Sequence, residues 1–232
     1  MLSQSQVVPS GREVSEIQGI MQRLVAVAPK VEADLAAEKG AKPHIEWSSF
    51  QWAVSVLQSP EVNAFCPPGG KMAVYTGLIP VAQNADALAV VMGHEISHAL
   101  LRHGAERMAQ QHLAQGLTVA TGMAAGKMDP QQQRMVMGAL GVGTQFGVLL
   151  PFSRKDESEA DEIGLMLAAA ACYDPQAAIP LWQRMEQQGG GQRAPEFMST
   201  HPNPGNRIER LHQLMPQATA MHDKYCGPGK TH

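Results

Sequence analysis

The sequence predicts an α+β fold that is mostly α-helical and contains a small β-sheet. Long segments carry apolar residues at helical spacing, whereas two short segments within 62–76 read as strands on either side of a turn. A chain of 232 residues can bury one sizeable core. We therefore expect a single domain over 1–232, with 216–232 as a tail.

The first part of the chain predicts one helix followed by strands. Residues 13–38 have helical spacing, and Pro29 is expected to kink or break that helix. Residues 45–57 alternate in part and are predicted to be extended. Strands at 62–66 and 72–76 are joined by a Pro-Pro-Gly-Gly turn.

The rest of the chain predicts helices. One begins after Asn84 and continues to His112, one starts near Ser153, and one covers 175–188. The segment 113–150 is rich in Gly, Ala and Met and predicts an apolar helical hairpin. Core packing is the simpler interpretation of this hairpin, and a lid or a membrane-facing hairpin is the alternative.

The most informative motif is H-E-I-S-H at 94–98. Side chains four apart lie on one face of a helix, so His94 and His98 can bind the same Zn²⁺. Glu95 can reach a metal-bound water without being a ligand. The flanks are apolar, and buried imidazoles and carboxylates are costly unless they are paired or coordinated. Gly93 allows a neighbouring backbone to approach closely.

A catalytic zinc needs a third protein ligand and an open position. Glu157 is the candidate, because a helix from Ser153 places Glu157 and Asp161 on one face. Asp161 would accept a hydrogen bond from a ligating imidazole and so fix its tautomer. Glu159 points roughly the opposite way and is a weaker candidate. A solvated acidic run is the alternative interpretation of this segment.

Several further motifs accompany these residues. S-R-x-x-E-x-x-A-D ends at Asp161, N-A-F-C-P-P-G-G covers 63–70 and is followed by T-G-L, and C-Y-D-P begins at Cys172. S-T-H-P at 199–202 precedes an R-I pair. Together they resemble the HtpX/BepA/LoiP-like zinc metallopeptidases, gluzincins of peptidase family M48 that are related to the CAAX prenyl endoprotease. Cys172 replaces the usual glycine of that family.

The resemblance covers residues 13–215 and implies a zincin-type (gluzincin) metalloprotease domain, with the small sheet beside the active-site helix. It implies that one strand is an edge that pairs with an extended substrate. Asn63, Ala64 and Phe65 are therefore the expected substrate-binding residues. A simple hairpin is the alternative interpretation of the glycine-rich turn.

The resemblance also implies roles for two residues near the C-terminus. His201 is expected in the active site, either as an oxyanion donor or as a fourth zinc ligand at rest. Arg207 is expected to stabilise the oxyanion or to bind a substrate carboxylate. An ion pair with Glu209 or Asp161 is the alternative for Arg207.

The resulting hypothesis is a zinc-dependent endopeptidase with one Zn²⁺ per chain. His94, His98 and Glu157 hold the metal, and Glu95 assists the attack of zinc-bound water on the scissile carbonyl. The resemblance implies unfolded or misassembled envelope proteins as substrates. A chaperone-like binding module, with a zinc site kept latent by His201, is the alternative hypothesis.

Charge and composition narrow the partners and the location. The net charge is −3, and no basic stripe combines with aromatic residues, so nucleic acid is not expected as a partner. We expect neither a signal peptide at the start of this chain nor a membrane-spanning helix. The resemblance then implies the bacterial periplasm or a membrane-associated location, with any leader absent from this chain. Contacts with a membrane surface or with outer-membrane assembly stay open, as does the oligomeric state.

Cysteines and isolated histidines leave alternatives open. Cys66, Cys172 and Cys226 allow either one disulfide through Cys226 with one free thiol, or three free thiols. The remaining histidines lack motif context and are interpreted as surface or internally hydrogen-bonded residues: His44, His103, His112, His212, His222 and His232.

Overall fold

The computed structural model describes residues 6–109, 152–189 and 196–228. Helices in these ranges are α1 (Arg12–Glu38), α2 (Ile79–Ala82), α3 (Ala85–Leu100), α4 (Arg154–Ala170), α5 (Ala178–Gly189), α6 (Glu196–Thr200) and α7 (Arg207–Cys226). The strands are β1 (Gln6–Val7), β2 (Ala53–Gln58), β3 (Ala64–Phe65) and β4 (Lys71–Tyr75). The predicted α+β, mostly helical fold is confirmed. The predicted hairpin at 113–150 lies outside the described residues.

The described sheet has the order β1-β2-β4-β3. Strands β2 and β4 are parallel, and the two outer pairings are antiparallel. Strand β3 pairs with β4 through Ala64 opposite Val74 and Phe65 opposite Ala73, and its other side has no strand partner among the described residues. The predicted pair of strands on either side of the Pro-Pro-Gly-Gly turn is therefore confirmed, with β3 at the edge of the described sheet.

Helix α1 runs without a break through Pro29, so the break expected there is wrong. Proline removes one backbone hydrogen bond, but α1 buries a full apolar stripe against α3 and α4, and this packing offsets the loss. The buried residues of the stripe are Val14, Ile17, Ile20, Met21, Leu24, Ala28, Val31 and Leu35.

The segment 45–57, predicted to be extended, begins with a 3₁₀ turn at Trp47–Ser49 and becomes strand only at Ala53. Glu32 on α1 explains the turn. Its carboxylate accepts hydrogen bonds from the backbone N–H groups of His44 and Ile45 and from the indole N–H of Trp47. A side chain distant in sequence thus determines the path of the backbone here.

Helix α3 is buried along its whole length from Ala87 to Leu100. It begins as expected at Asn84, whose side chain accepts a hydrogen bond of 2.8 Å from the N–H of Ala87. The expected continuation to His112 is wrong, because the helix ends at Leu100 and Arg102 has a left-handed φ of 60°. A separate helical turn follows at 103–109. The chain direction therefore changes just after the second histidine of the motif.

Helices α3 and α4 pack backbone against backbone where Gly93 faces Gly164. A Cβ atom at Gly93 would lie 2.6 Å from the carbonyl oxygen of Gly164, and one at Gly164 would lie 2.6 Å from the backbone nitrogen of His94. Both positions therefore require glycine. This contact sets the distance between the two helices that carry the candidate metal ligands.

Helix α7 covers most of the segment predicted as a tail, because it continues through Pro216 as far as Cys226. Met221 and His222 are buried on it. A disulfide joins Cys226 to Cys172, just beyond α4, while Cys66 is a buried free thiol. The prediction of one bridge through Cys226 is confirmed. Among the described helices, none is long and apolar enough to cross a membrane.

The glycine contact leads to a prediction for Gly164→Ala. The added methyl group forces α3 and α4 apart, which should lower the free energy of unfolding by about 1–3 kcal/mol and weaken zinc retention. Gly19→Ala in α1 is the matched control, because a Cβ there meets no atom within 4 Å. Chemical denaturation and metal analysis check both variants. Equal stability of the two would contradict the requirement for glycine at Gly164.

Candidate metal centre

Four buried side chains from three parts of the chain meet at one point. His94 and His98 lie on α3, Glu157 lies in the first turn of α4, and His201 follows α6. One potential ligand atom from each lies within 4.8 Å of all the others. None of the four side chains is more than 2% exposed. The fold therefore gathers these residues in the interior.

The donor atoms suit a zinc ion. Nε2 of His94 lies 3.1 Å from Nε2 of His98, and these atoms are 3.5 and 3.4 Å from the two oxygens of Glu157. Nδ1 of His201 lies 2.9 Å from Glu157 Oε1 and 3.4 Å from His94 Nε2. Imidazole nitrogen and carboxylate oxygen are common zinc ligands, and four such groups match tetrahedral coordination.

Asp161 and Arg207 contact the ligand candidates on the side away from the shared point. Asp161 Oδ1 lies 3.0 Å from His94 Nδ1, so it can accept that N–H when Nε2 faces a metal. Arg207 donates to Asp161 and to Glu157, each at 2.6 Å, and its guanidinium stacks 4.0 Å above the ring of Trp182. Nε and Nη2 of Arg207 are therefore engaged by Asp161 and Glu157 and do not face the cleft. The ion pair with Asp161 is the alternative given above for this residue.

The ligand candidates have perturbed pKa values. Burial acts to raise the pKa of Glu157, but hydrogen bonds from His201, His94 and His98 outweigh it and hold this pKa well below its usual range. Burial acts to lower the pKa of His94, but Asp161 and Glu157 raise it to about 9. Burial lowers the pKa of His98 well below its usual value. The carboxylate of Glu157 therefore stays ionised, as a ligand must.

Glu95 lies beside the cluster with one oxygen held and one oxygen free. The backbone N–H of Cys66 donates to Oε2 at 3.2 Å. Oε1 is buried without a hydrogen-bond partner, although His201 Nε2 lies 3.4 Å away. Burial raises the pKa of Glu95. A buried carboxylate oxygen without a partner is costly, which fits a position that faces a water or a substrate.

His103 is internally hydrogen-bonded, one of the two interpretations given above, but its contact with the candidate ligand His98 was not predicted. It is buried, and its Nδ1 lies 3.0 Å from Nδ1 of His98, while its Nε2 lies 3.4 Å from Glu159. If His98 binds a metal through Nε2, its Nδ1–H can donate to His103. On an unbroken helix, positions 98 and 103 would point to different sides. The change of chain direction at Arg102 brings them together, so the sequence spacing carried no signal of this contact.

A cavity of about 360 Å³ opens onto Glu95, His98 and His201. Asn63 and Phe65 line its wall, as expected for substrate-binding residues. The side chain of Ala64 is fully buried, so only its main chain on edge strand β3 can face a peptide. The predicted set therefore divides into two cleft side chains and one backbone position.

A buried H-E-x-x-H helix, with an acidic residue of a neighbouring helix as the third ligand candidate, is the arrangement of zincin-type metallopeptidases. The chain belongs to peptidase family M48, whose family model matches residues 29–215. Zinc is the metal that this family uses.

Curated relatives agree with the family. The chain is 40% identical over 174 residues to mitochondrial metalloendopeptidase OMA1 of Schizosaccharomyces pombe, covering 74% of this chain and 49% of that protein. It is 38% identical over 179 residues to human metalloendopeptidase OMA1, covering 74% and 34%. It is 30% identical over 185 residues to the beta-barrel assembly-enhancing protease of Escherichia coli K12, covering 76% and 38%. The chain thus spans half or less of the length of these relatives.

The geometry leads to a prediction about the third ligand. Glu157→Gln should lose zinc, because it removes a charged oxygen from the centre of the cluster. Glu162→Gln is the control on the same helix, because Glu162 pairs with Lys39 and Arg210 away from the cluster. Metal analysis after dialysis should find zinc in the control alone. Zinc retained by the Glu157 variant and lost from the control would refute the ligand assignment.

Proposed function

We propose that this domain is a zinc-dependent endopeptidase that cleaves unfolded or misassembled polypeptides. The observation that carries the proposal is the free oxygen of Glu95, buried beside three metal-ligand candidates and open to the cleft. A purely structural metal site has all its positions closed and needs no such base. The family membership and the metalloendopeptidase relatives support the same activity.

His94, His98 and Glu157 would hold the metal, with Asp161 and Arg207 orienting His94 and Glu157. Zinc bound there supplies Lewis-acid polarisation of the scissile carbonyl and lowers the pKa of water.

The chain's own residues move the protons. Glu95 Oε1 accepts the proton of the attacking water and then delivers it to the leaving amine, while the N–H of Cys66 keeps Oε2 in place. His201 Nε2, 3.4 Å from Glu95, is positioned to donate to the developing oxyanion. Arg207 acts on the reaction through Glu157 and Asp161 and is a positioning residue in this proposal.

The proposed substrate class, which the family resemblance implies, is compatible with edge strand β3. An extended peptide can add to a free strand edge through main-chain hydrogen bonds, which tolerate many sequences. Folded proteins rarely present such a segment, so unfolded or misassembled chains are the natural substrates. Asn63 and Phe65 contact the peptide side chains in this arrangement, and Ala64 pairs through its backbone.

An oxidising location is part of the proposal, because disulfides such as Cys172–Cys226 persist in oxidising compartments. The periplasm or a membrane-associated position satisfies this condition. The relatives named mitochondrial do not single out the periplasm. Envelope substrates and contacts with outer-membrane assembly are supported only by the name of the Escherichia coli relative, a beta-barrel assembly-enhancing protease.

A second function, a binding module with a latent zinc site, is favoured by one observation. Nδ1 of His201 lies within reach of the same point as the other three ligand atoms. A fourth protein ligand would occupy the position that catalytic water needs. Digestion of an unfolded protein with and without a chelator separates the two functions, because only the peptidase is stopped by chelation.

Glu95→Gln tests the general base. The amide keeps the shape of the side chain but cannot accept the proton, so cleavage of casein should fall by about 10²–10⁴ with zinc retained. Glu162→Gln is the matched control, because Glu162 pairs with Lys39 and Arg210 away from the cleft. Near-normal cleavage by the Glu95 variant would remove Glu95 as the base.

His201→Ala distinguishes two roles. If His201 is an oxyanion donor, its removal should lower the rate of cleavage by about 10²–10³-fold, with zinc retained. As a resting ligand, its removal should raise basal cleavage because the water position is freed. We expect the loss, since a transition-state donor acts in every turnover. Unchanged cleavage and unchanged zinc affinity would show that His201 has neither role.

A further inference from the structure

A cationic side chain in the cleft has no role in the mechanism above. Arg107 lies on the helical turn 103–109 and lines the same cavity as Glu95 and His201. Its guanidinium stacks 3.9 Å above the ring of Phe152, and that ring stacks on His98 at 4.0 Å. Arg107 is therefore held one aromatic layer away from a candidate zinc ligand.

Arg107 is partly buried, and two of its guanidinium nitrogens have no hydrogen-bond partner. Within the described ranges, its Nε and Nη1 atoms are buried and have no hydrogen-bond acceptor, and it forms no ion pair. The second arginine of the site, Arg207, instead has two carboxylate partners at 2.6 Å. Buried N–H groups without an acceptor are costly, so an arginine kept in this state suits an acceptor that arrives from outside.

The charges around Arg107 indicate the sign of that ligand. Burial lowers the pKa of Arg107, and the charges that oppose this are those of Glu95 and Glu157. When zinc is bound, its two positive charges offset these same two carboxylates. Asp161 is already paired with Arg207. Glu196 also lines this cavity, but among the described residues Arg107 has no ion-pair partner near the reacting centre.

We propose that Arg107 is a binding site for a carboxylate of the substrate, either an Asp or Glu side chain near the scissile bond or the terminal carboxylate of a short peptide. The inference rests on the proposed endopeptidase function and adds a substrate preference to it. Phe152 holds the guanidinium plane, and the guanidinium N–H groups donate hydrogen bonds to the carboxylate oxygens. Arginine binds carboxylates more strongly than neutral acceptors because both partners are charged.

Paired peptides that differ only in Glu or Gln at one position test the preference. Each pair is made with a free and with an amidated C-terminus, and Glu or Gln is placed in turn at positions flanking the scissile bond. Dissociation constants are measured on zinc-loaded Glu95→Gln protein, which binds without cleaving, and kcat/KM is measured on the wild type. At one position Glu should be favoured by about 10–100-fold. If the terminal carboxylate is the ligand, amidation produces the same loss instead.

Arg107→Met is introduced into both the wild type and the Glu95→Gln protein. It should bring the Glu/Gln ratio of kcat/KM and of affinity, or the corresponding ratio of free to amidated peptides, to about one. Arg107→Lys should keep part of the preference. Arg154→Met is the matched control, because it removes an exposed arginine that does not line the cleft. Its ratio should equal that of the wild type.

Two results would overturn the proposal for Arg107. One is a wild-type protein that does not distinguish the paired peptides. The other is an Arg107→Met variant that loses both peptides equally, because the guanidinium would then serve the main chain. Carboxylate preference in binding without any cleavage by the wild type would instead retain the site and refute the endopeptidase. Absence of binding by every peptide would refute both.

Discussion

The ionised carboxylate of Glu157, buried at the junction of two helices, is the constraint on which the site depends. Such a group is stable only when donors surround it. Here the donors are Arg207 at 2.6 Å and the imidazoles of His94, His98 and His201. Each comes from a different part of the fold or a different helical turn, so the elements that carry them must meet around one side chain. A metal ion held by these imidazoles and Glu157 would take the place of the imidazole donors in neutralising the carboxylate.

Regular patterns made much of this architecture predictable. The i, i+4 spacing placed both histidines of the motif on one face, and the serine cap fixed the start of α4, where Ser153 and Asp156 form a capping box. The meeting of Glu157 with these histidines depends on a contact between Gly93 and Gly164, and the sequence indicated only one side of it. The ligand roles themselves stay predictions.

Tertiary contacts determine what periodicity could not reveal. Pro29 is tolerated because the surrounding stripe is buried, and the turn at Trp47 exists because Glu32 receives three donors there. The end of α3 was missed because Leu101 and Arg102 carry no glycine or proline signal. That turn is also what brings His103 to His98, so the least predictable stretch of backbone has a direct effect on the candidate site.

Helix α7 connects the redox state of the compartment to the metal centre. Its first residue, Arg207, donates hydrogen bonds to Glu157 and Asp161 near the start of α4. Its last residue, Cys226, forms a disulfide with Cys172 just past the end of α4. Helices α4 and α7 therefore run parallel and are joined near both ends, by ion pairs at one end and by the disulfide at the other. Reducing agents break only the disulfide. In a thiol-rich environment, packing and the ion pairs of Arg207 alone would then maintain the orientation of Glu157. The arrangement therefore suits a compartment in which thiols are oxidised.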